Sequence, residues 1–454
     1  MIAIVGAGIS GLSLAWHLHQ KNIPYQIFES SGEIGGYLKT VQMGKNKAYL
    51  FERGANSLLM DNEILDFIKK TGFENELIYA NKVSKSRFIV RDKKPKKLPS
   101  SPQGLLFGSF FSTQTKAKIF KELYYKKEEL DPKITVGEFL ENHFGKEVVD
   151  YAVSPFVTGI YAADAYQLLL KYTFPILTEY AQAHGSILKG FIKNKSGDRK
   201  QSVSFKNGMQ SFAKNISKNL NVQYNHRVIS IQNSNFTERK NRRWLLEIEH
   251  NNLGEIKIES LEFDKVFLTT SPSISADLLE PHFEKLAHTI RDIHYPTMCL
   301  IHSVFKKEDV DFDLNGFGAL HPKVEGLFSA GTIWSSSVFE GRAPEDEVLF
   351  TGFVGGRQWQ ENAELPKQEI LKRHTDELKE IYGIKNDPVV QQFTRWDKSV
   401  PQYDEQLLQV EKQLKRLKKS DIYICANWFG GVSVADCIKK GRDLALQFIA
   451  DSNL

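Results

Sequence analysis

The sequence predicts an α/β fold with a Rossmann-like domain assembled from segments that lie far apart in the chain. First, a strand, "IAIV", is followed at once by the glycine-rich turn "GAGISG" and an apolar helix. Second, strand-like stretches such as "HRVISIQ", "RWLLEIEH" and "KVFLTT" follow one another around residues 222–271. Third, the strand "IYICANW", a glycine pair and a helix close the chain. We therefore expect both ends of the chain to complete one domain.

The composition is that of a globular protein. The 454 residues are 41% hydrophobic and 25% charged, which suits roughly two to three domains with a sizeable core. No run of 18 uncharged apolar residues occurs, so no transmembrane helix is expected. The first strand begins at residue 2, so no targeting peptide is expected in front of it. The net charge of +5 suits an anionic small ligand or an anionic membrane surface without requiring either.

Residues 2–30 predict a strand–turn–helix–strand unit that binds a dinucleotide. In G-x-G-x-x-G, Gly6 permits the tight turn, Gly8 lets the backbone approach a pyrophosphate, and Gly11 lets helix and strand pack closely. The helix N-terminus offers free N–H groups and a partial positive charge to the phosphates. Glu29 ends the second strand, where a carboxylate accepts hydrogen bonds from an adenosine ribose. The predicted phosphate loop comprises Gly6, Ala7, Gly8, Ile9, Ser10 and Gly11.

A second glycine pair, Gly35-Gly36, follows Glu29 and favours FAD over NAD. Flavoproteins of the glutathione-reductase and amine-oxidase type carry such a pair, and the sequence resembles them in this respect. The turn at Gly430-Gly431 is then expected to bring the last helix to the flavin ring. There, backbone N–H groups and the helix dipole would favour negative charge on the reduced flavin. The N–H groups expected to face the flavin belong to Val432, Ser433 and Val434.

The remaining elements divide the chain into five parts. A helix is expected over 61–71 with Asp61 as its N-cap, and a mostly helical stretch is expected to end at Pro155 and Gly159. The FAD-binding domain is expected to comprise residues 1–82, 206–289 and 396–454. Residues 83–205 are expected to form a helical insertion, and residues 290–395 a mixed-sheet substrate domain.

With these motifs in place, the chain resembles the oxygen-dependent protoporphyrinogen oxidases, including the related coproporphyrinogen III oxidases, over nearly its whole length. The most distinctive part is the central block "VVDYAVSPFVTGIYAADAYQLLLKYTFPIL", followed by "HGSILKG". The segments "AIVGAGISGLSLAWHL", "FERGANSLL", "SFKNGMQSF", "HRVISI", "GFGALHP", "RAPEDEVLFTGFVGG", "VPQY" and "GGVSVADCIKKG" occur in the family's order. The first motif alone marks only a large superfamily, whereas the central block and the ending together are specific.

The resemblance implies an FAD fold of the glutathione-reductase type and a set of cofactor contacts. Beyond the glycine loops, it implies that Val228 contacts the adenine side and that Trp396 lies near the isoalloxazine. Residues 54–57 are expected to pass near the flavin. The remaining implied contacts are Glu29, Ser30, Tyr37, Gly54, Ala55, Asn56 and Ser57.

The chain departs from the family's pattern in two places. Gly54-Ala55-Asn56-Ser57 stands where the family often has Gly-Pro-Arg-Gly. The arginine expected after the "LP" of 98–99, near the substrate propionates, is absent. That anchoring role therefore cannot be carried over, and the nearby cations are the candidates to replace it: Arg87, Lys94, Lys96 and Lys97.

The resemblance implies repeated hydride transfer from a porphyrinogen to FAD, with molecular oxygen as the acceptor and hydrogen peroxide as the product. No protein nucleophile is required, no catalytic side chain is assigned, and the chain has neither a G-x-S-x-G elbow nor an H-E-x-x-H motif. No metal site is expected among the histidines or among Cys299, Cys425 and Cys437, whose spacing fits a reducing, cytoplasmic setting without disulfides.

Several alternatives stay open at the level of sequence. The substrate could be protoporphyrinogen or coproporphyrinogen, and the protein a monomer or a homodimer. It could be another flavin oxidase acting on amines or carotenoids, or a non-catalytic carrier on the same fold. The segment 93–111 has cations followed by Leu105, Phe107 and Phe110, which suits peripheral contact with the inner face of a membrane. Nucleic-acid binding is not expected, because the basic residues follow no recognisable motif.

Overall fold

A computed structural model describes residues 1–99, 104, 108–127, 129–194, 200–234, 243–252, 255–417 and 420–451. The strands are, in chain order, β1 Ile2–Val5, β2 Tyr25–Glu29, β3 Thr40–Met43, β4 Tyr49–Glu52, β5 Leu58–Met60, β6 Leu77–Tyr79, β7 Phe88–Arg91, β8 Lys94–Lys97, β9 Gln201–Phe205, β10 Val222–Tyr224, β11 His226–Asn233, β12 Trp244–Asn252, β13 Glu255–Phe263, β14 Lys265–Leu268, β15 Met298–Lys306, β16 Gly318–Leu320, β17 Gly331–Trp334, β18 Glu347–Gly355, β19 Val390–Trp396 and β20 Ile422–Ile424. The longer helices are α1 Ile9–His19, α2 Asn62–Lys70, α3 Thr113–Glu122, α4 Val136–Phe144, α5 Ser154–Tyr161, α6 Pro175–His184, α7 Ile187–Lys193, α8 Met209–Ser217, α9 Pro272–Arg291, α10 Lys367–Tyr382, α11 Gln406–Leu414 and α12 Val434–Asp451.

The first sheet is parallel and unites both ends of the chain. Its strand order is β10-β2-β1-β14-β20, and every residue of the central strand β1 is buried. A strand that is buried on both faces reads as a continuous apolar run, as "IAIV" does. The pairing of β14 with both β1 and β20 confirms the predicted α/β class and the assembly of one sheet from distant segments.

The two helices that follow the glycine turns pack against each other. A Cβ atom on Gly441 of α12 would lie 2.8 Å from the Leu14 amide nitrogen and 2.8 Å from the Ser10 carbonyl oxygen of α1. The Ser13 hydroxyl donates a buried hydrogen bond of 2.8 Å to the Ile438 carbonyl. This contact places the N-terminus of α12 beside the first glycine loop.

A second, seven-stranded sheet has the order β19-β15-β18-β17-β16-β7-β8. Its pairs are antiparallel except for β16 with β7, so the sheet is mixed, as expected for the substrate domain. The segment 83–205, expected to be helical, differs at its ends: β7 and β8 join this sheet, and β9 joins a small sheet with β5 and β6. Their register depends on partners far along the chain, which local patterns do not reveal.

Between those strands, helices α3 to α7 form a cluster. Helix α5 runs through both Pro155 and Gly159, where the helical stretch was expected to end. Pro155 is the second residue of α5, which follows directly on the π-helical turn Val149–Val153, and the helix ends instead at Ala162 with φ of +53°. Within the described residues, no helix is both long enough and apolar enough to cross a membrane.

The apolar segment proposed for membrane contact is only partly described. Leu105 and Phe107 lie outside the described residues. The Phe110 side chain is buried and packs with Ile89 and Phe111 in a small core. The prediction that Phe110 faces a membrane is therefore wrong, because its ring is used to attach the segment to the edge of the mixed sheet.

Candidate functional site

The three glycines of the first loop meet different surroundings. A Cβ atom on Gly11 would lie 2.3 Å from the Gly6 carbonyl oxygen, and one on Gly6, where φ is +105°, would lie 2.8 Å from Thr269 Oγ1. A Cβ atom on Gly8 would have no atom within 4 Å. Gly6 and Gly11 are thus required by the protein's own packing, whereas Gly8 leaves open space, as close approach of a pyrophosphate needs.

The first glycine loop leads into the N-terminus of α1, and the charge at this helix end suits an anion. The first turn of α1 contains no acidic residue. Among the described residues, the amide N–H groups of Ile9, Ser10 and Gly11 have no hydrogen-bond acceptor. Free N–H groups and the helix dipole together favour a phosphate at this position.

Glu29 organises the loops around it as well as ending β2. Its Oε2 accepts a hydrogen bond of 2.9 Å from the Ala7 amide, and its Oε1 accepts from the Ser31 amide (2.9 Å) and hydroxyl (2.8 Å). Ser30 is exposed, and its hydroxyl lies 3.5 Å from the same carboxylate. The carboxylate remains half-exposed at the carboxyl end of the sheet, where the predicted ribose contact requires it.

The second glycine pair lies directly against the first loop. The Gly35 amide donates to the Ala7 carbonyl at 2.9 Å, and Gly8 and Gly35 form an isolated parallel bridge. A Cβ atom on Gly36 would lie 3.4 Å from the Gly8 Cα. The two motifs therefore build one continuous backbone surface, which the spacing along the chain could not demonstrate.

The segment after β4 crosses behind Tyr37. A Cβ atom on Gly54 would lie 1.9 Å from the Tyr37 carbonyl oxygen, and the Ala55 amide donates to that oxygen at 3.2 Å. Asn56 donates to the Gly54 carbonyl at 3.4 Å, and Ser57 lines a small cavity with it. Within residues 54–57, Gly54, which the family's pattern shares, is thus the position at which a side chain would overlap the Tyr37 backbone.

Trp396 closes the same region from the mixed sheet. Its Nε1 donates to the Arg53 carbonyl, and its ring centroid lies 4.9 Å from that of Tyr37. The Tyr37 hydroxyl donates to the Lys398 carbonyl at 2.7 Å. The structure therefore brings Tyr37, the 54–57 segment and Trp396 together.

Glu52, the last residue of β4, was missed by the sequence reasoning although it lies within the quoted segment "FERGANSLL". Its buried carboxylate accepts from the Met209 amide (2.8 Å) and the Thr40 hydroxyl (2.7 Å), and its carbonyl accepts from His302 Nε2 (3.0 Å). Burial raises the pKa of Glu52 to about 7, against the influence of the nearby Arg342 guanidinium. These contacts anchor the segment that continues to residues 54–57.

The C-terminal turn has the expected two glycines in left-handed conformations, with φ of +72° at Gly430 and +107° at Gly431. The Ser433 amide donates to the Asp436 carboxylate at 3.1 Å, so this N–H is not available to a cofactor. The Val432 and Val434 amides have no acceptor among the described residues. Two of the three predicted N–H groups therefore remain free.

Two further residues that fix this turn were missed. The Tyr403 hydroxyl, at the end of "VPQY", accepts from the Gly431 amide (2.9 Å) and donates to the Asn427 carbonyl (2.8 Å). Lys440 Nζ donates to three carbonyl oxygens of the turn. The motif "VPQY" was a usable signal for Tyr403, whereas nothing in "CIKKG" distinguishes Lys440 from Lys439.

Val228 lies on β11, next to the loop that follows Glu29. The Asn225 amide donates to the Ser31 carbonyl at 3.1 Å, which attaches the start of β11 to that loop. The Val228 side chain is buried, and the pairing with β12 shifts register between Val228 and Ser230. The strand thus lies beside the ribose end of the predicted site.

The candidate substrate cations differ in their surroundings. Lys94, Lys96 and Lys97 are exposed on the edge strand β8, and Lys96 pairs with Asp92. The Arg87 guanidinium lies 3.7 Å from the centroid of the Phe317 ring, and no carboxylate among the described residues pairs with it. Phe317, on which Arg87 stacks, lines the small cavity that Asn56 and Ser57 also line.

Among the described residues, no three histidine, cysteine, aspartate or glutamate side chains are grouped as a metal site would require. Cys299, Cys425 and Cys437 are buried free thiols. Burial raises the pKa of Cys299 to about 11 and that of Cys425 to about 12, so both are neutral near pH 7. A neutral thiol is a poor nucleophile.

Comparisons with known proteins agree with this geometry. The family profile described as flavin containing amine oxidoreductase matches residues 9–447. Protoporphyrinogen oxidase 2, chloroplastic/mitochondrial, of Arabidopsis thaliana is 30% identical over 99% of this chain and 94% of its own length. Coproporphyrinogen III oxidase of Bacillus subtilis (strain 168) is 25% identical over 97% of this chain and 96% of its own.

Solved structures show the same fold. A crystal structure of a candidate protoporphyrinogen oxidase from Exiguobacterium sp. 255-15 has a TM-score of 0.80 at 19% identity, covering 99% of this chain and 98% of its own. Cyclohexylamine oxidase from Brevibacterium oxydans IH-35A has a TM-score of 0.68 at 15% identity, covering 100% and 99%.

The open space at Gly8, the free N–H groups at two helix N-termini and the contact between the two glycine motifs fit one extended dinucleotide. FAD is accordingly the cofactor, and the protein is a flavin-dependent oxidoreductase. With its cofactor loops and its full-length relatives taken together, the chain belongs to the flavin containing amine oxidoreductase family, in the group of the protoporphyrinogen and coproporphyrinogen III oxidases.

Proposed function

We propose that the protein oxidises a porphyrinogen, protoporphyrinogen IX in the first place, to the porphyrin in haem biosynthesis. Molecular oxygen is the proposed electron acceptor, and hydrogen peroxide the proposed product. The observation that carries the proposal is the match along almost the whole chain to relatives named protoporphyrinogen oxidase and coproporphyrinogen III oxidase. The geometry of the two glycine loops supports the flavin part independently.

The chemistry fits a site made of turns and rings. A porphyrinogen is a nonconjugated macrocycle with methylene bridges, and its oxidation removes a hydride from carbon. FAD, when bound, accepts that hydride. The chain's own contribution is to hold the two nucleotide loops rigid and to present the Val432 and Val434 N–H groups where negative charge develops. The neutral, buried cysteines agree with a reaction that needs no protein nucleophile.

We propose Arg87 as the cation that binds a substrate carboxylate, in place of the arginine absent after residues 98–99. Its guanidinium is held over the Phe317 ring and has no carboxylate partner among the described residues. Stacking on a ring fixes the guanidinium plane while its N–H groups stay free for a bidentate contact with a carboxylate. Lys96, in contrast, is already paired with Asp92.

We also propose that the helical cluster contacts an anionic membrane surface. Phe120 on α3 is 53% exposed, and Tyr124, just beyond α3, is 71% exposed; the exposed Lys121 lies beside them in the chain. On α7, Phe191 is 52% exposed, near Lys193. Apolar rings next to lysines are the combination that binds lipid headgroups and acyl chains.

The test is sedimentation with phosphatidylglycerol vesicles, which Phe120→Ser with Tyr124→Ser should abolish. Tyr79 on β6 is 50% exposed, and the control variant Tyr79→Ser should still sediment with the vesicles. Absence of vesicle binding by the unaltered protein would refute the proposal.

The test of the enzymatic proposal is an aerobic assay of purified, FAD-containing protein with protoporphyrinogen IX and coproporphyrinogen III in parallel. Porphyrin fluorescence reports oxidation, and a peroxidase-coupled dye reports hydrogen peroxide. We expect oxidation of protoporphyrinogen IX with peroxide formation. Preference for coproporphyrinogen III would change the substrate, and porphyrin without peroxide would change the acceptor.

Two other outcomes would point to the alternatives. A flavin spectrum with neither porphyrinogen oxidised would favour another flavin oxidase of the family, acting on amines or carotenoids. Protein that neither contains nor binds FAD would favour a non-catalytic carrier on the same fold. The size-exclusion profile of the same preparation would show whether the protein is a monomer or a homodimer.

A further inference from the structure

Lys440 has an unusual environment for a lysine in the middle of a helix. Its ammonium group donates hydrogen bonds to the carbonyl oxygens of Ala426 (2.6 Å), Phe429 (2.6 Å) and Gly431 (2.8 Å). An ammonium has three N–H donors and no acceptor. All three donors of Lys440 therefore serve one turn, the turn that precedes the N-terminus of α12.

The contact extends to the side-chain stem. A Cβ atom on Gly430 would lie 3.3 Å from the Lys440 Cδ, so the stem lies against the backbone of the turn. The left-handed conformations of Gly430 and Gly431 let separate carbonyls of the turn converge on one cation. With these carbonyls directed at Lys440, and the Gly431 amide held by Tyr403, the orientation of the turn is fixed.

The same arrangement decides which amides remain available. The Ser433 amide is bound to Asp436. The amides of Val432, Val434 and Ala435 have no acceptor among the described residues. The turn therefore has its carbonyl oxygens directed to Lys440, and it leaves free N–H groups at the end of α12 that carries the positive dipole.

Two charged side chains belong to the first turns of α12. Asp436 contributes a negative charge and accepts one hydrogen bond from the Ser433 amide. Lys440, one turn further along, contributes a positive charge held in place by its three carbonyl partners. Lys439 is the neighbouring residue but points elsewhere, to Asp61 and to Glu63 at 2.9 Å on helix α2.

We propose that Lys440 is a positioning residue that raises the reduction potential of the bound FAD. It holds the 426–431 turn in the orientation that presents free amides, and its positive charge favours the reduced flavin, which is the more negatively charged state. The inference rests on the proposed function only in placing the flavin ring at this turn. It does not depend on which substrate is oxidised.

The test compares Lys440→Met with the matched control Lys439→Met in the FAD-containing protein. Each variant removes one positive charge from the same helix, but only the first removes the charge from the turn. The readout is the two-electron midpoint potential of the bound flavin, measured against a reference dye. We expect Lys440→Met to weaken the binding of reduced relative to oxidised FAD about tenfold, which lowers the potential by about 30 mV. Lys439→Met should leave it unchanged.

A second variant separates the effect of the charge from that of the hydrogen bonds, and it controls for a change in the conformation of the turn. Lys440→Gln keeps amide donors without the charge, and we expect its potential to fall as in Lys440→Met while more FAD is retained. An unchanged potential in both Lys440 variants, or an equal shift in Lys439→Met, would overturn the proposal. A flavin-containing protein inactive with porphyrinogens would refute the proposed function and leave this measurement valid. Protein without flavin would overturn both.

Discussion

At the scale of single residues, the glycines of the first loop divide by what a side chain would meet. Gly11 would clash with the Gly6 carbonyl at 2.3 Å, whereas Gly8 would meet no protein atom within 4 Å. Sequence spacing assigns both to one motif but cannot separate the glycine that the fold needs from the glycine that a ligand needs. The difference makes the cofactor site testable without a bound cofactor.

We expect Gly8→Ala to leave the stability of the FAD-free protein unchanged and to weaken FAD binding at least tenfold, because the added methyl group occupies the space left for the pyrophosphate. Gly11→Ala is the matched comparison and should lower the stability of the FAD-free protein itself, since its methyl group overlaps the backbone. Thermal unfolding of the apoprotein and FAD titration by fluorescence check both. Unimpaired FAD binding by Gly8→Ala would contradict the position of the pyrophosphate.

Arg87 is the residue on which the proposed substrate contact depends. We expect Arg87→Met to raise KM for the porphyrinogen roughly tenfold with little change in kcat, because a ground-state ion pair is lost. Lys94→Met, on the neighbouring strand β8, removes the same charge and should change neither constant. Steady-state kinetics with both substrates checks this, and a fall in kcat alone would assign Arg87 a different role.

Two buried histidines, His321 and His374, should make the protein sensitive to acid. Burial lowers the pKa of His321 to about 4 and that of His374 to about 3. Because these folded-state values lie below that of a free imidazole, about 6.5, the neutral rings' contribution to stability is lost as the pH falls from 6.5 toward 4. Burial raises the pKa of Glu377 to about 7, so its contribution runs the other way and is lost as the pH rises through 7.

We expect His374→Leu to shift the acid midpoint of unfolding downward. Both His374 ring nitrogens are buried without a partner among the described residues, so the variant should cost nothing at pH 7 and could gain about 1 kcal/mol. Circular dichroism measures the midpoint over a range of roughly pH 3 to 8, which covers the titration of both histidines. An unchanged midpoint would mean that other groups control acid unfolding.

At the scale of elements, the packing of α12 on α1 joins the two glycine turns. Gly441 lies where the helices are closest, 2.8 Å from backbone atoms of α1 for an added Cβ. Helices that approach this closely need a small residue at the crossing, and overpacking costs about 1–3 kcal/mol. The sequence predicted both helices but not that they touch, because nothing in their separate patterns specifies a partner.

We expect Gly441→Ala to lower the free energy of unfolding by about 1–3 kcal/mol and to reduce FAD retention, because α12 must shift away from α1 and carry its turn with it. Gln447→Ala, an exposed position on the same helix, should change neither property. Chemical denaturation and the flavin-to-protein absorbance ratio are the measurements. Full FAD retention in a destabilised Gly441→Ala would separate the helix contact from the cofactor site.

At the scale of the whole molecule, the predicted cofactor site draws on segments from both ends of the chain. The β14 strand pairs with β1 on one side and β20 on the other, so residues 2–5 and 422–424 share one sheet. The mixed sheet reaches the same site through Trp396 and the Arg53 carbonyl. A ligand that contacts all of these segments should couple their stability.

We therefore expect removal of FAD to loosen both ends together. FAD at one hundred times its Kd should stabilise the folded protein by about 2.7 kcal/mol. In the apoprotein, amide hydrogen exchange should rise in residues 6–11 and in residues 426–434, while β15 to β18 keep their protection. Faster exchange at only one end would mean that the cofactor does not bridge them.

The sequence alone determined the α/β class, the first dinucleotide loop and Glu29 at the end of β2, because each depends on residues close together in the chain. The resemblance of the Gly35-Gly36 pair to that of flavoproteins favoured FAD. The resemblance supplied the family and pointed to the 54–57 segment and the C-terminal turn. Only the tertiary structure decided that Gly35 bridges Gly8, that Phe110 is buried, that the Ser433 amide is occupied, and that Lys440 rather than Lys439 holds the turn. These features depend on contacts between segments up to hundreds of residues apart, and the packing of the two sheets and two helices, not local pattern, brings those segments together.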